Sequence, residues 1–222
     1  MKNTSIVESI PNFEKPDLAH LIDGIRYRNS SRYINLPDMF EELITPRLYY
    51  RVIKKDSTSK GIVYLRGGLS FNSSILAKVM KNCDNIVCFI ATIGSDVDEK
   101  ITLLSAKNHL SYAYILDTMG STAIESMVDK FHKSTGELYR AKGGGVTMRF
   151  SPGYCDWPIT EQKKLFRVLD SNQMDIELTD SCLMQPRKSI SGIFGVFNTN
   201  PPASTYNPCS DCRKKNCPTR RK

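Results

Sequence analysis

The stretch Arg149-Phe150-Ser151-Pro152-Gly153-Tyr154-Cys155-Asp156-Trp157-Pro158 carries the most information about the fold. A prolyl-glycyl turn places an arginine and a tyrosine close together. The guanidinium is a planar fork that suits a carboxylate bidentately. The backbone at Gly153 can approach a planar ring closely. Tyr154 adds an aromatic face for an adenine or a sulfonium cation. The set suits a ligand with a carboxylate at one end and a base at the other. Taken alone, these residues favour the plainer reading, a turn in which Arg149 is salt-bridged and Tyr154 packs on the core.

Outward from this segment, the pattern is mixed. Upstream, the triple glycine Gly143-Gly144-Gly145 lacks the Lys-Ser/Thr of a P-loop and the spacing of a dinucleotide fingerprint, so it reads as a turn before a strand over 146–150. The periodicity predicts helices over 96–104 and 108–132, the second with Leu110, Ala113, Tyr114, Met119, Ala123, Met127 and Phe131 on a core face. Gly120 and Ala123 on that helix leave room for another element. The run 86–93 reads as a buried strand, 70–82 as a helix, and 36–43 as a short helix. Strands are expected at 49–53 and 61–65, joined by a polar hairpin loop over 54–60. Asp17 can cap a short helix through Ile22. Downstream, 161–169 reads as helix, and 174–178 and 190–197 as strands. Strand pairs and helices without regular βαβ alternation predict an α+β fold. The domain spans 1–197, and 198–222 forms a linker and cysteine-rich basic tail.

Composition is that of a globular chain: 222 residues, 40% hydrophobic and 24% charged. This excludes collagen-like and coiled-coil classes. No apolar run approaches the roughly 18–20 residues of a membrane helix, and 1–13 has no continuous apolar segment of a secretory signal. A cytoplasmic location is expected. The net charge of +8 is concentrated in Arg213, Lys214, Lys215, Arg220, Arg221 and Lys222; without them 25 basic residues face 23 acidic ones, a balance of +2. The body therefore does not read as a nucleic-acid binder. Cys83 and Cys88 read as small core hydrophobes. His20, His109 and His132 lie far apart and suggest neither a metal pair nor a triad.

Several blocks in one order carry a family resemblance. Arg149-x-x-x-Gly153-Tyr154 resembles the RxxxGY S-adenosylmethionine (AdoMet) motif of the activation domain of cobalamin-dependent methionine synthase. Leu178-Thr179-Asp180-Ser181-Cys182-Leu183-Met184-Gln185-Pro186 is similar to that family's LTES-x-x-M-x-P stretch, and Ser189-Ile190-Ser191-Gly192 to its SVSG. Residues 117–131 are weakly similar to the small-residue helix that precedes the motif, with Glu125 on the matching face. The clear part covers about 149–195. The resemblance implies a bent antiparallel sheet with flanking helices, an AdoMet site in a shallow groove, and a role in reactivating oxidised cobalamin. Here the domain resembles a free-standing version acting on a separate methionine synthase or other corrinoid protein, with an electron donor protein as a further partner. By that resemblance Arg149 clamps the AdoMet carboxylate, and Gly153 and Tyr154 form the turn and wall of the groove. Asp23 is the candidate for the family's N-terminal aspartate, and Tyr206 for its tyrosine after SVSG. Asp156, Trp157 and Pro158 depart from the family's Pro-Ala-Cys-Pro continuation, and its following histidine is absent.

The tail adds Cys209-x-x-Cys212-x-x-x-x-Cys217. Three thiolates at this spacing can wrap a metal ion or cluster, with an iron–sulfur cluster, zinc or no metal all open. Neighbouring cations favour the thiolate form. A rival reading makes the chain a metal-binding adaptor whose tail holds a nucleic acid or an acidic partner. A third, a stand-alone methyltransferase, lacks the glycine-rich loop after a strand.

Overall fold

The central strand β4 (Asn85–Thr92) is buried along nearly its whole length. Ile86, Cys88 and Ile90 enter one apolar cluster, and Val87, Phe89 and Ala91 enter another on the opposite face. Both faces are covered, which is why the sequence shows a continuous apolar run rather than alternation. The computed structural model describes residues 36–170 and 174–199, together with Asn207 and Cys209.

β1 (Arg47–Ser59) pairs with β4 on one side, Tyr49 opposite Ile90, and β8 (Ser189–Phe197) pairs on the other, Phe89 opposite Gly192. β2 (Ile62–Leu65) and β3 (Leu69–Asn72) extend the sheet beyond β1, and β5 (Gly145–Val146) lies beyond β8. The order is β3-β2-β1-β4-β8-β5, every pairing is antiparallel, and the sheet curls into a half-barrel. A separate two-stranded hairpin joins β6 (Glu177–Leu178) and β7 (Met184–Gln185). The α+β fold expected from the sequence is the fold found.

Helices cover both faces of the sheet. α1 (Leu36–Leu43), α3 (Asp96–Ala106) and α4 (Leu110–Arg140) pack with Phe89, Phe194 and Val196. α2 (Ser74–Val79) and α5 (Gln162–Leu169) pack on the other face with Ile53, Phe71, Ile193 and Trp157. Asp96, Asp98 and Glu99 in the first turn of α3 oppose its dipole and stabilise the helix start. α4 continues past residue 132 to Arg140, longer than its apolar stripe predicts.

Four segments differ from the sequence reading. The polar stretch 54–60 is mostly strand, because β1 runs on to Ser59 and pairs with β2; the turn is only Lys60 and Gly61, both at positive φ. Consecutive positive φ values match the twist of a two-residue hairpin. The segment 70–82 is not one helix: β3 pairs with β2, and Ser73 then caps α2 by accepting from the Leu76 N–H at 3.0 Å. Residues 146–150 form only the short β5 and a single bridge from Phe150 to Ile193. The expected strand at 174–178 is likewise reduced to β6, although Met174 and Ile176 are buried. The expected helix from Asp17 lies outside the described residues. Cys83 and Cys88 are buried core thiols, and burial pushes each up to about 12. No helix among the described residues is long and apolar enough to cross a membrane.

Candidate functional site

Phe150 ties the two motif blocks together. Its N–H donates to the Ile193 carbonyl and its carbonyl accepts from the Ile193 N–H, each at 2.8 Å. A Cβ at Gly192 would sit 2.6 Å from the Phe150 oxygen. The glycine of Ser189-Ile190-Ser191-Gly192 therefore allows the arginine-bearing segment to lie on β8. Thr147 reinforces this approach: its Oγ1 accepts from the Gly195 N–H at 2.9 Å, and its carbonyl lies 2.7 Å from His132 Nε2 on α4. His132 also meets Phe194 edge-on. It acts as a brace between helix and strand, a role that the spacing of the histidines did not reveal.

Arg149 emerges next to α4. One guanidinium nitrogen, Nη2, lies 2.9 Å from Glu125 Oε2 and 2.7 Å from Asp129 Oδ1. These acids are four residues apart, one turn of helix, so they share a face. The arginine side chain is 14% exposed, whereas the carboxylates are 58% and 67% exposed. Ion pairs with partners this exposed contribute about 0–1 kcal/mol each. The guanidinium is thus held in place by contacts that another carboxylate can exchange. Together the three groups carry a net charge of −1.

The turn that follows is defined by its own backbone. The Gly153 N–H donates to the Trp157 carbonyl at 2.8 Å, and the Trp157 N–H donates to the Tyr154 carbonyl at 3.1 Å. Gly153 has φ +91°, a left-handed conformation that a side chain strains. Tyr154 is 56% exposed and does not pack on the core. Of the two readings of this segment, the salt-bridged Arg149 is present and the core tyrosine is not. Trp157 is 2% exposed and meets Phe71 edge-on at 5.4 Å between ring centroids.

The remaining blocks have structural roles. Thr179 organises the β6–β7 hairpin: its Oγ1 accepts from the Leu183 N–H at 3.0 Å and its carbonyl accepts from the Cys182 N–H at 2.9 Å. Lys188, 8% exposed, reaches Asp117 Oδ1 at 2.7 Å and Ser121 Oγ at 2.9 Å. Its stem crosses Gly120, where a Cβ would meet Lys188 Cε at 3.2 Å. The small residue on α4 therefore admits a lysine side chain rather than a whole element. A cleft of about 830 Å³ opens elsewhere, lined by Thr45, Arg47, Asp98, Asp175, Gln185 and Arg187 among others; none of Arg149, Gly153 or Tyr154 faces it. The ion pairs Arg47–Asp175 and Arg187–Asp98 lie within that lining.

Asp23, Tyr206, Cys212 and Cys217 lie outside the described residues. Cys209 is partly buried, and its N–H donates to Asn207 Oδ1 at 2.9 Å. Among the described residues, no group of three or more His, Cys, Asp or Glu could hold a metal ion. The sequence reading named Arg149, Gly153 and Tyr154 as candidates and set Glu125 on the matching helix face. It missed Asp129, whose only signal is its position one turn beyond Glu125, and it saw Asp156 only as a departure from a pattern.

Comparison with known proteins gives a consistent picture. Residues 66–220 match the family described as vitamin B12 dependent methionine synthase, activation domain. That match runs past Phe197 into the tail. The fold is similar to the crystal structure of the MetH reactivation domain bound to AdoHcy, at 15% sequence identity and a TM-score of 0.58, covering 88% of this chain and 69% of that one. No curated protein matches.

Proposed function

The chain belongs to the family of vitamin B12 dependent methionine synthase activation domains, and from that premise we propose that it binds AdoMet in the groove at Arg149 and supports reductive remethylation of cob(II)alamin on a separate corrinoid protein. The observation that carries the reading is the largely buried Arg149 guanidinium, held by exposed carboxylates, with the exposed Tyr154 on the turn that follows it in the chain. A ligand carboxylate takes the guanidinium fork. Glu125 and Asp129, released from part of that pairing, face the cationic remainder of the ligand. Tyr154 supplies a flat wall, and Gly153 lets the backbone approach. The structural neighbour is a reactivation domain bound to AdoHcy, the product of such a transfer, which supports the same ligand class here.

The chemistry belongs to the two substrates. One electron from an external donor protein reduces cob(II)alamin to cob(I)alamin. The cobalt electron pair takes the methyl group, the carbon–sulfur bonding pair stays on sulfur, and S-adenosylhomocysteine leaves. The residues of this chain contribute orientation and water exclusion. Asp23 and Tyr206 are proposed as further ligand contacts.

Calorimetric titration of AdoMet into the protein, with Arg149→Ala alongside, tests the reading. Saturable binding that the substitution abolishes supports it. Wild-type protein that is folded and binds no AdoMet, alone or with a cobalamin-loaded corrinoid protein, overturns it.

The tail motif supports a second element of the proposal: Cys209, Cys212 and Cys217 hold a thiophilic centre, either zinc or an iron–sulfur cluster. Its support is the spacing of the three thiols and the adjacent cations Arg213, Lys214 and Lys215. Iron, zinc and acid-labile sulfide are measured in protein purified without oxygen, against a variant with all three cysteines replaced by serine. Stoichiometric metal that the variant lacks supports a centre and identifies it. No metal, with salt-sensitive nucleic-acid binding lost on deleting 209–222, favours the adaptor reading of the tail.

A further inference from the structure

The segment from Phe150 to Glu161 crosses the curled sheet. It begins on β8, beside one edge, where Phe150 bridges Ile193. It ends at the opposite edge, where two acids grip the junction between β3 and α2. Asp156 Oδ2 accepts from the Ser74 N–H at 2.7 Å and the Ile75 N–H at 3.3 Å, and its Oδ1 accepts from the Ser73 hydroxyl. Glu161 accepts from the Asn72 N–H at 3.0 Å and pairs with Lys164 at 2.8 Å, and Lys164 donates to the Ser70 carbonyl at 2.8 Å. Between the two anchors lies Trp157, buried against Phe71.

α2 has its own cap, Ser73, so the helix does not depend on a carboxylate more than eighty residues away. Asp156 lies inside the turn closed by the Gly153–Trp157 and Trp157–Tyr154 hydrogen bonds, so the groups that fix Asp156 also fix the turn. We infer that Asp156 is a positioning residue: by docking on the start of α2 it holds Gly153 and Tyr154 at the height and angle of the AdoMet groove. The inference rests on the AdoMet reading and deepens it. It also explains what replaces the family's Pro-Ala-Cys-Pro here. Asp156 and Trp157 fix the loop by a charged cap and a buried ring.

The chain has one tryptophan, Trp157, on the loop itself, so its emission and acrylamide quenching report docking directly. AdoMet affinity, tryptophan quenching and far-ultraviolet circular dichroism are compared for wild type, Asp156→Ala, Asp156→Asn and Ile101→Val. The last lies in the other core cluster and serves as a destabilised control. The expected result is a loss of about tenfold or more in AdoMet affinity for Asp156→Ala. Trp157 becomes more accessible while helix content is unchanged. Asp156→Asn, which keeps one acceptor, falls between, and Ile101→Val leaves affinity and quenching at wild-type values. If Asp156→Ala binds AdoMet as wild type does, or keeps Trp157 equally protected, the positioning role is wrong. If Ile101→Val loses affinity to the same degree, the effect is general destabilisation and the role is also wrong. Folded wild-type protein that binds no AdoMet, alone or with a cobalamin-loaded corrinoid protein, overturns the functional reading itself, an outcome distinct from a loss confined to Asp156→Ala.

Discussion

Gly192→Ala is the sharpest test of how the two motif blocks are joined. Gly192 is not at positive φ, so alanine meets no backbone penalty there and the effect is steric. The added methyl would lie 2.6 Å from the Phe150 carbonyl oxygen and 2.8 Å from the Phe89 ring. A backbone atom and a fully buried ring cannot both yield. Relief requires moving the Phe150 segment away from β8, which breaks its two 2.8 Å hydrogen bonds with Ile193. Each such bond contributes about 1 kcal/mol net, and overpacking adds about 1–3 kcal/mol when neighbours are only partly displaced. Because strain and bond loss are partly alternatives, a destabilisation of about 2–4 kcal/mol is expected. With a urea slope of about 2 kcal/mol/M, the midpoint falls by about 1–2 M at unchanged slope. The assay is urea unfolding followed by circular dichroism, with AdoMet titration on the folded baseline. A midpoint shift below about 0.5 M would show that the Phe150–Ile193 contact is not tight, and the account of why a glycine occupies this position would fail.

The pair formed by Lys188 and Asp117 separates packing from charge. The lysine is 8% exposed and its stem fills the space over Gly120. Lys188→Met is expected to stay within about 1 kcal/mol of wild type in urea unfolding, whereas Lys188→Ala loses about 2 kcal/mol as three methylenes leave. Equal losses in the two variants would assign the stability to the ion pair instead. The buried thiols give an alkaline prediction. Cys83 and Cys88 are raised to about 12 by burial, so the unfolded chain loses those protons at lower pH than the folded one. Their contribution to stability is full below about pH 9 and falls as pH rises toward 12; denaturant midpoints across that range, with Cys83→Ala/Cys88→Ala as the flattened control, check the sign. In native protein at pH 8 the exposed Cys155 is expected to alkylate, and Cys83 and Cys88 only after unfolding. Peptide mass mapping reads this, and early labelling of Cys83 would contradict the burial argument.

Long-range partners explain most of what was hard to read in the chain. The run 86–93 is unambiguous as a buried strand because apolar side chains are needed on both of its faces. The helices α3 and α4 are equally plain, since their 3–4 residue periodicity is a local property of each chain segment. By contrast, residues 69–72 form a strand because β2 is available to pair with them, and no local pattern separates them from the helix that follows. The polar residues 54–59 are strand for the same reason: β2 lies beside them, and their side chains face solvent or a partly buried edge.

The motif segment divides in the same way. The sequence by itself determined the α+β class, the order of the motif blocks, the candidate Arg149, Gly153 and Tyr154, and Glu125 as the acid on the matching helix face. Residue type and spacing suffice for the class, and the resemblance of the ordered blocks to the activation-domain family supplies the rest; both are legible without a fold because they are properties of the linear chain. Only the tertiary structure decided that Asp129 shares Arg149 with Glu125, that Lys188 lies across Gly120, and that Asp156 grips the start of α2 at the β3 edge of the sheet. These contacts join residues far apart along the chain, or depend on which face of a helix meets a strand. The curl of the sheet brings them together, and no spacing rule encodes it.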